Sequence, residues 1–459
     1  MTLSYSWEEL AAHVGGRLER AGTAIPKRVV IDSRGVQKGD LFVALQGDRR
    51  NGHDFLKDVA AHGAAGALVS QPTDSLPAEF GLIRVADTLK GLQNLGRSHR
   101  KKMPLRVIGI TGSNGKTTTK EMLAQLLQGM GRDVFATKGN LNSQVGLPLM
   151  LLELESHHTH AVLEMGASAK GDIACLAEMA TPQMAVITGI GRAHLETFGS
   201  LEGVVAAKWE LVEALGKDGI AFLNADDPLL MSRRKEARCS VVTFGRSPGA
   251  DVRAENIRQD PQTVFDLVVG GARREVRLPV PGLFNVTNAL AAASVALWER
   301  GLLPVVAEGL GRFTPPPQRM QMRRRPDGSL FLIDAYNANP DSMAASLQSF
   351  VQAFPHWPKT AVLGSMLELG PASEEEHRQL GRTLAGLPLE RIYFVGPEGL
   401  WVRAGYAEAG GKKEFLLEED REKVRGKIAG NLTPDAVVLF KASRGVRLEE
   451  IYEPLMTIK

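Results

Sequence analysis

Short apolar runs alternate with stretches of helical spacing along most of the chain, and the alternation changes character twice. Up to residue 86 the runs are brief and punctuated by glycine: GDLFVALQG (39–47) alternates as a strand, and GAAGALVSQ (63–71) and GLIRVAD (81–87) predict two more. From 87 to 312 the strand candidates are RVIGIT, HAVLEMG, MAVITGI and GIAFLNAD, each followed by a helical pattern. Apolar runs of this kind predict a parallel sheet covered on both faces. FTPPPQRM (313–320) has three consecutive prolines and predicts a linker. Beyond it LFLIDAY, KTAVLGSM, RIYFVG and AVVLFKAS repeat the strand–helix alternation, which predicts a second parallel sheet. The expectation is an α/β protein of three domains: a small N-terminal α/β domain (1–86), a central P-loop-type parallel-sheet domain (87–312) and a C-terminal Rossmann-like α/β domain (313–459).

Length and composition agree with this division. The 459 residues suit three domains of roughly 150 each. The net charge of +3 is too small to imply a nucleic-acid partner. The start MTLSYSWEEL has no signal-peptide pattern, and no apolar run approaches the ~20 residues that span a bilayer, so no membrane insertion and a cytoplasmic location are expected. Cys175 and Cys239 are too far apart for a Cys-based zinc motif and read as fillers.

Candidate chemistry begins at GITGSNGKTTTKEM (109–122). RVIGI predicts a strand, and KTTTKEMLAQLLQGMG predicts a helix with Met122, Leu123, Leu126, Leu127 and Met130 on one face. The usual phosphate-loop spacing needs a glycine at position 110, where the chain has Ile110. Gly112, Ser113, Asn114 and Gly115 still form a turn that can direct backbone N–H groups at an anion. Lys116 supplies a compact charge, Thr117 a hydroxyl for Mg2+, and Thr118 continues the turn. ATP or GTP binding is expected.

Ligands of an open parallel sheet gather beyond the carboxyl ends of its strands. There the sequence places Glu164, closing HAVLEMG, and His194 and Glu196 on the loop after MAVITGI. A carboxylate ending an apolar strand is costly unless it is paired or metal-bound, and phosphoryl transfer uses metal ions held by such groups. The HHTH cluster (157–160) reads as a polar loop, and Arg323–Arg325 as a solvated hairpin edge, since no aromatic residues interleave with it.

TGSNGKTTTKEM, GNLNSQVGLP, AVLEMGAS, AHLETFGSLEGVVAAKWEL, NADDP and PVPGLFNVTNALAA, in this order, resemble the Mur ligase family of ATP-dependent amide-forming enzymes. IDSRGVQKGDLFVALQGDRRNGHDF, DAYNANPDSM and MLELG resemble the member that adds a dipeptide. The resemblance implies that ATP activates the terminal carboxylate of UDP-N-acetylmuramoyl-tripeptide as an acyl phosphate, which the amine of D-Ala-D-Ala then attacks. It implies two Mg2+ ions, with Thr117 on the first and Glu164 and His194 on the second, and a lysine at Lys208 that reacts with CO2 to give a carbamate beside the metal. Lys116, His194 and Lys208 are the implied catalytic groups. Asn288 is implied at the adenine, Arg319 and Asp334 at the ribose and phosphates, and Asp32, Ser33 and Arg34 at the UDP end of the substrate, in a UDP-substrate-binding domain. Asn140 and Asn142 are implied at the muramoyl part. Tyr336, Asn337, Asn339, Lys441, Ser443 and Arg444 are implied for the dipeptide, in the C-terminal domain. A monomer is expected.

Four positions depart from the family's usual residues: Phe284, Gln318, Ser365 and Ala442. Two bear on the backbone, because the usual glycine permits φ > 0 and Gln318 or Ala442 does so reluctantly. Among other Mur-type amide ligases, the tripeptide-forming one shares the D-S-R start but has a different C-terminal motif, and a folylpolyglutamate-like one gives no reason for the D-S-R segment. A nucleotide-binding scaffold has no need of Glu164, His194 and Lys208.

Overall fold

The apolar runs become the central strands of three sheets in a computed structural model that describes residues 5–47, 50–73, 76–192 and 195–457. The first sheet contains β1 (Arg17–Arg20), β2 (Arg28–Val30), β3 (Asp40–Val43), β4 (Gly66–Val69) and β5 (Gly81–Arg84). Their order is β1-β5-β4-β3-β2, parallel except for the β1–β5 pair.

The second sheet contains β6 (Arg106–Thr111), β7 (Val134–Ala136), β8 (His160–Glu164), β9 (Met184–Ile187), β10 (Ile220–Asn224), β11 (Ser240–Gly245), β12 (Val252–Asp260), β13 (Gln262–Val269) and β14 (Ala272–Leu278). The order is β14-β13-β12-β11-β10-β9-β6-β8-β7. Strands β6 to β12 pair in parallel, as the buried apolar runs require. Strands β12 to β14 extend the sheet as an antiparallel meander that the sequence reading did not include. Its alternating burial leaves one face to solvent, which an antiparallel edge tolerates.

The predicted helix face is buried as expected: Met122, Leu123, Leu126 and Leu127 of helix Lys116–Gly129 pack with Val286, Ala289 and Ala293 of helix Leu283–Trp298 over one side of this sheet. Alanines along the second helix let the two backbones approach closely. Truncating Leu123 to alanine in so filled a layer costs about 2–5 kcal/mol. Trp209, Leu211, Leu176 and Leu147 cover the other side.

The third sheet contains β15 (Gln321–Arg324), β16 (Leu330–Ile333), β17 (Lys359–Gly364), β18 (Arg391–Val395), β19 (Glu414–Leu417) and β20 (Val437–Lys441), in the order β15-β16-β20-β17-β18-β19. Only the β15–β16 pair is antiparallel. That hairpin carries the three arginines, but Arg325 is buried and its Nε donates to Leu455 O at 2.8 Å, so it is not a solvated edge residue. Each sheet lies inside one of the three spans read from sequence, while helix Thr88–Lys101 packs on both the first and second units. FTPPPQRM holds no helix or strand.

Candidate active site

β6 ends at Thr111, and Gly112 to Gly115 turn the chain into helix Lys116–Gly129. Ile110 is a fully buried strand residue paired between β8 and β9, so the turn simply begins two residues later. Gly112 has φ +145°, and a Cβ there would overlap Thr188 Oγ1; Gly115 has φ +83° at the helix N-cap. Both features demand glycine. The turn is held by the end of β9: Ser113 N–H donates to Gly189 O at 2.9 Å, and Thr188 Oγ1 donates to Asn114 O at 2.5 Å. Lys116 Nζ folds back to donate to Gly112 O at 2.8 Å and Ser113 O at 3.3 Å. Burial lowers the Lys116 pKa; the nearby Glu164 charge opposes this and Arg319 adds to it.

The second set of groups lies at the ends of β8 and its neighbours. Glu164 is buried; its Oε1 accepts from Asn142 Nδ2 at 2.7 Å, and its Oε2 is buried with no hydrogen-bond partner. An orphaned buried carboxylate oxygen is costly and is the kind of atom a cation satisfies. Lys208 projects from helix Leu201–Glu213 and is only 3% exposed. Burial, and next the charge of Lys116, draw its pKa down to about 7. Its Nζ lies 5.4 Å from the centre of the Phe198 ring. Glu210, two residues further along the same helix, accepts from Gly171 N at 2.7 Å and Ala174 N at 3.0 Å, which fixes this helix to its neighbour Asp172–Ala180.

The C-terminal unit supplies the third wall. Arg319 Nη2 donates to Thr117 Oγ1 at 3.3 Å, and its guanidinium lies 4.1 Å from the centre of the Tyr336 ring. Gln318 does adopt the left-handed conformation, with φ +63°; its side chain bonds Tyr452 OH at 2.8 Å and Arg444 Nη1 at 3.1 Å. Ala442 is not among the positive-φ residues, so that departure from glycine needs no strain. Asp334 accepts from the buried Lys441 Nζ at 2.7 Å, and the same ammonium donates to Asn337 O at 3.1 Å. Asn339 caps helix Pro340–Ala353 and donates from Nδ2 to Asn114 Oδ1 at 3.1 Å.

These walls enclose a cavity of ≈ 810 Å³. Residues 112–118, Asn140, Asn142, Glu164, Lys208, Asn288, Arg319, Asp334, Tyr336, Asn337, Asn339 and Lys441 all line it. Ser443 and Arg444 do not. Ser443 Oγ donates to Ala338 O at 3.2 Å, and Arg444 bridges Gln318 and Glu449. Asp32, Ser33 and Arg34 sit in the first unit, where Arg34 holds the exposed Asp32 carboxyl down to about 2. His194 lies outside the described residues. Sequence reasoning did not single out Asp172, Thr188, Arg192 or Asp341, although Asp172, Thr188 and Asp341 line the cavity. The one available signal was position, since Thr188 directly follows an apolar strand.

The description "Mur ligase middle domain" matches residues 110–296, "Mur ligase, glutamate ligase domain" matches 318–444, and "Mur ligase family, catalytic domain" matches 27–100. Among curated proteins, the UDP-N-acetylmuramoyl-tripeptide–D-alanyl-D-alanine ligases of Bacillus subtilis and Escherichia coli are each 34% identical. The first alignment covers 93% of both chains; the second covers 99% of this chain and 98% of the relative. Among solved structures, MurF from Acinetobacter baumannii superimposes with TM-score 0.90 at 34% identity over 100% of both chains. MurF ligase from Thermotoga maritima in complex with ADP gives 0.83 at 33% identity, covering 93% of this chain and 96% of that one.

Proposed function

We infer the activity from one premise: the chain belongs to the Mur ligase family. It is an ATP-dependent ligase that joins D-Ala-D-Ala to the terminal carboxylate of UDP-N-acetylmuramoyl-tripeptide, a carbon–nitrogen bond-forming step of peptidoglycan synthesis. The observation that carries this reading is that a glycine turn with Lys116 meets, in one cavity, an orphaned buried carboxylate and the C-terminal wall of Tyr336, Asn337 and Asn339.

A carboxylate does not condense with an amine unaided, because its oxygen is a poor leaving group. Transfer of the γ-phosphoryl group of ATP makes a carboxyl–phosphate anhydride and ADP. The free amine then adds to that carbonyl, phosphate departs, and a proton is lost as the amide forms. In this reading Lys116 exchanges its Gly112 and Ser113 carbonyl contacts for phosphate oxygens, and the helix N-terminus behind Gly115 adds its N–H groups. Arg319 neutralises charge from the opposite wall. Asn288 and Asp334 serve the nucleoside, Asn140 and Asn142 the muramoyl portion, and Asp32, Ser33 and Arg34 the UDP end. Asn337 and Asn339, with Tyr336 beside them, receive the dipeptide. Lys441 acts on that wall by fixing Asp334 and Asn337.

The residues present fit a divalent cation. Thr117 would hold one Mg2+, and Glu164 Oε2, with His194 and a carbamate on Lys208, would hold a second; bound metal would offset charge on the transferring phosphoryl group. Lys208 suits carbamate formation because its buried amine is substantially neutral near pH 7 and can attack CO2. No helix among the described residues is long and apolar enough to cross a membrane, and we place the reaction in the cytoplasm with ATP. ADP release measured with each substrate omitted in turn tests the reading. Turnover is expected only when ATP, tripeptide nucleotide and D-Ala-D-Ala are all present, and equal ADP release without the dipeptide would count against it.

A further inference from the structure

Three segments distant in sequence meet at the rim of the cavity. The loop after β9 reaches the phosphate turn through a reciprocal pair, in which Ser113 Oγ donates to Gly191 O at 3.0 Å and accepts from Gly191 N at 2.9 Å. The next residue, Arg192, reaches the C-terminal unit. Its backbone N donates to Asp341 Oδ2 at 2.7 Å, its Nε to Asp341 Oδ1 at 3.0 Å, and its Nη1 to Glu376 Oε1 at 3.0 Å. Asp341 stands in the first turn of helix Pro340–Ala353, whose cap Asn339 is bonded to Asn114 of the phosphate turn. The triangle is tight at its centre: a Cβ added at Gly191 would lie 2.9 Å from Asp341 Oδ2.

From this geometry we propose that Arg192 is a positioning residue for the ligation reaction. It clasps the first turn of helix Pro340–Ala353 against the phosphate turn, and so brings the dipeptide-facing groups to the phosphorylated carboxylate. Arg192 lies outside the cavity wall and acts through Asp341 and Glu376. An exposed ion pair alone is worth little, and the Arg192 side chain is 46% exposed. Here, however, one guanidinium and one backbone N–H share a carboxylate that is joined to the cavity wall, so the contact controls a relative position. Asp341 and the cap Asn339 are two residues apart, and Asn337 lies two residues before the cap, in the segment that leads into the helix. Release of Asp341 therefore leaves this end of the dipeptide wall tied to the central unit through Asn339 to Asn114 and Arg319 to Thr117, and loosens its position over the phosphate turn.

The proposal rests on the ligase reading, and its test separates the two. Arg192→Ala, Asp341→Ala and the double variant are assayed for pentapeptide formation and measured by small-angle scattering with a non-hydrolysable ATP analogue and tripeptide nucleotide. Thermal unfolding confirms that each variant is folded, and Arg192→Lys serves as the conservative variant. The expected result is a loss of turnover of roughly 5- to 150-fold in either single variant, no further loss in the double variant, partial recovery with lysine, and a larger radius of gyration for Arg192→Ala than for wild type. Multiplicative losses in the double variant, or wild-type turnover and wild-type scattering in Arg192→Ala, would overturn it. If wild type forms no pentapeptide while Arg192→Ala still expands the molecule, the ligase reading fails and the clasp stands.

Discussion

Asn288 Oδ1 occupies the space that a Cβ on Gly115 would need, which ties the helix Leu283–Trp298 to the bend of the phosphate turn. Asn288 is buried, and its Nδ2 donates to Asn285 Oδ1 at 3.2 Å, so it cannot swing aside without breaking a buried bond. Gly115→Ala therefore carries two penalties: a left-handed residue with a Cβ, about 1–2 kcal/mol, and displacement of Asn288. Calorimetric titration with an ATP analogue should show affinity reduced at least about tenfold, the equivalent of 1.4 kcal/mol. Wild-type affinity would show that the turn is not where the nucleotide binds.

The Lys208 ammonium makes folding and catalysis oppose each other. Above its unfolded pKa near 10.5 both states hold a neutral amine and there is no penalty. As pH falls towards 7, the unfolded chain takes up a proton that the folded chain refuses, so stability declines across that window and levels off below it. In CO2-free buffer at pH 7, Lys208→Met should stabilise the protein by roughly 2–5 kcal/mol while abolishing turnover. Urea midpoints at pH 7 and pH 10 check this, since the gap between variant and wild type should narrow at the higher pH. A less stable variant at both values would contradict the assignment.

Glu164→Gln tests the orphaned oxygen. The Asn142 bond survives, and a buried charge is removed, so the melting temperature should hold or rise. Turnover should fall by about 100-fold or more, with the Mg2+ concentration needed for half-maximal rate shifted upward. An unchanged Mg2+ dependence would remove Glu164 from the metal set.

At Gln318 the contrast between two substitutions isolates backbone strain from side-chain bonding. Gln318→Ala and Gln318→Gly both lose the bonds to Tyr452 and Arg444, but only glycine relieves φ +63°. Denaturant melts should rank glycine above alanine by roughly 1 kcal/mol. The reverse order would mean that the bend relaxes.

The phosphate turn was legible because strand, glycines, lysine and helix are consecutive; Ile110 only shifted its start. Glu164 was legible as a carboxylate ending an apolar strand. The burial of Lys208 was not, since helix Leu201–Glu213 reads as an ordinary surface helix until Trp209 and Leu211 are seen packed beneath the sheet. The meander β12 to β14 carried an alternating pattern in sequence, but its charged residues obscured the strands. Contacts between units, such as Arg192 with Asp341 or Arg319 with Thr117, join residues far apart in the chain and leave no local pattern. For the same reason Ser443 and Arg444, close in sequence to the cavity residue Lys441, turned out to brace its outer side.

The most direct test of the central claim is the identity of the product. Purified protein is incubated with ATP, Mg2+, UDP-N-acetylmuramoyl-tripeptide and D-Ala-D-Ala, and the nucleotide fraction is analysed by mass spectrometry. The account predicts a new nucleotide heavier than the tripeptide form by one D-Ala-D-Ala less one water, formed in equal amount with ADP. Recovery of unchanged tripeptide, or addition of a single amino acid in place of the dipeptide, would contradict it.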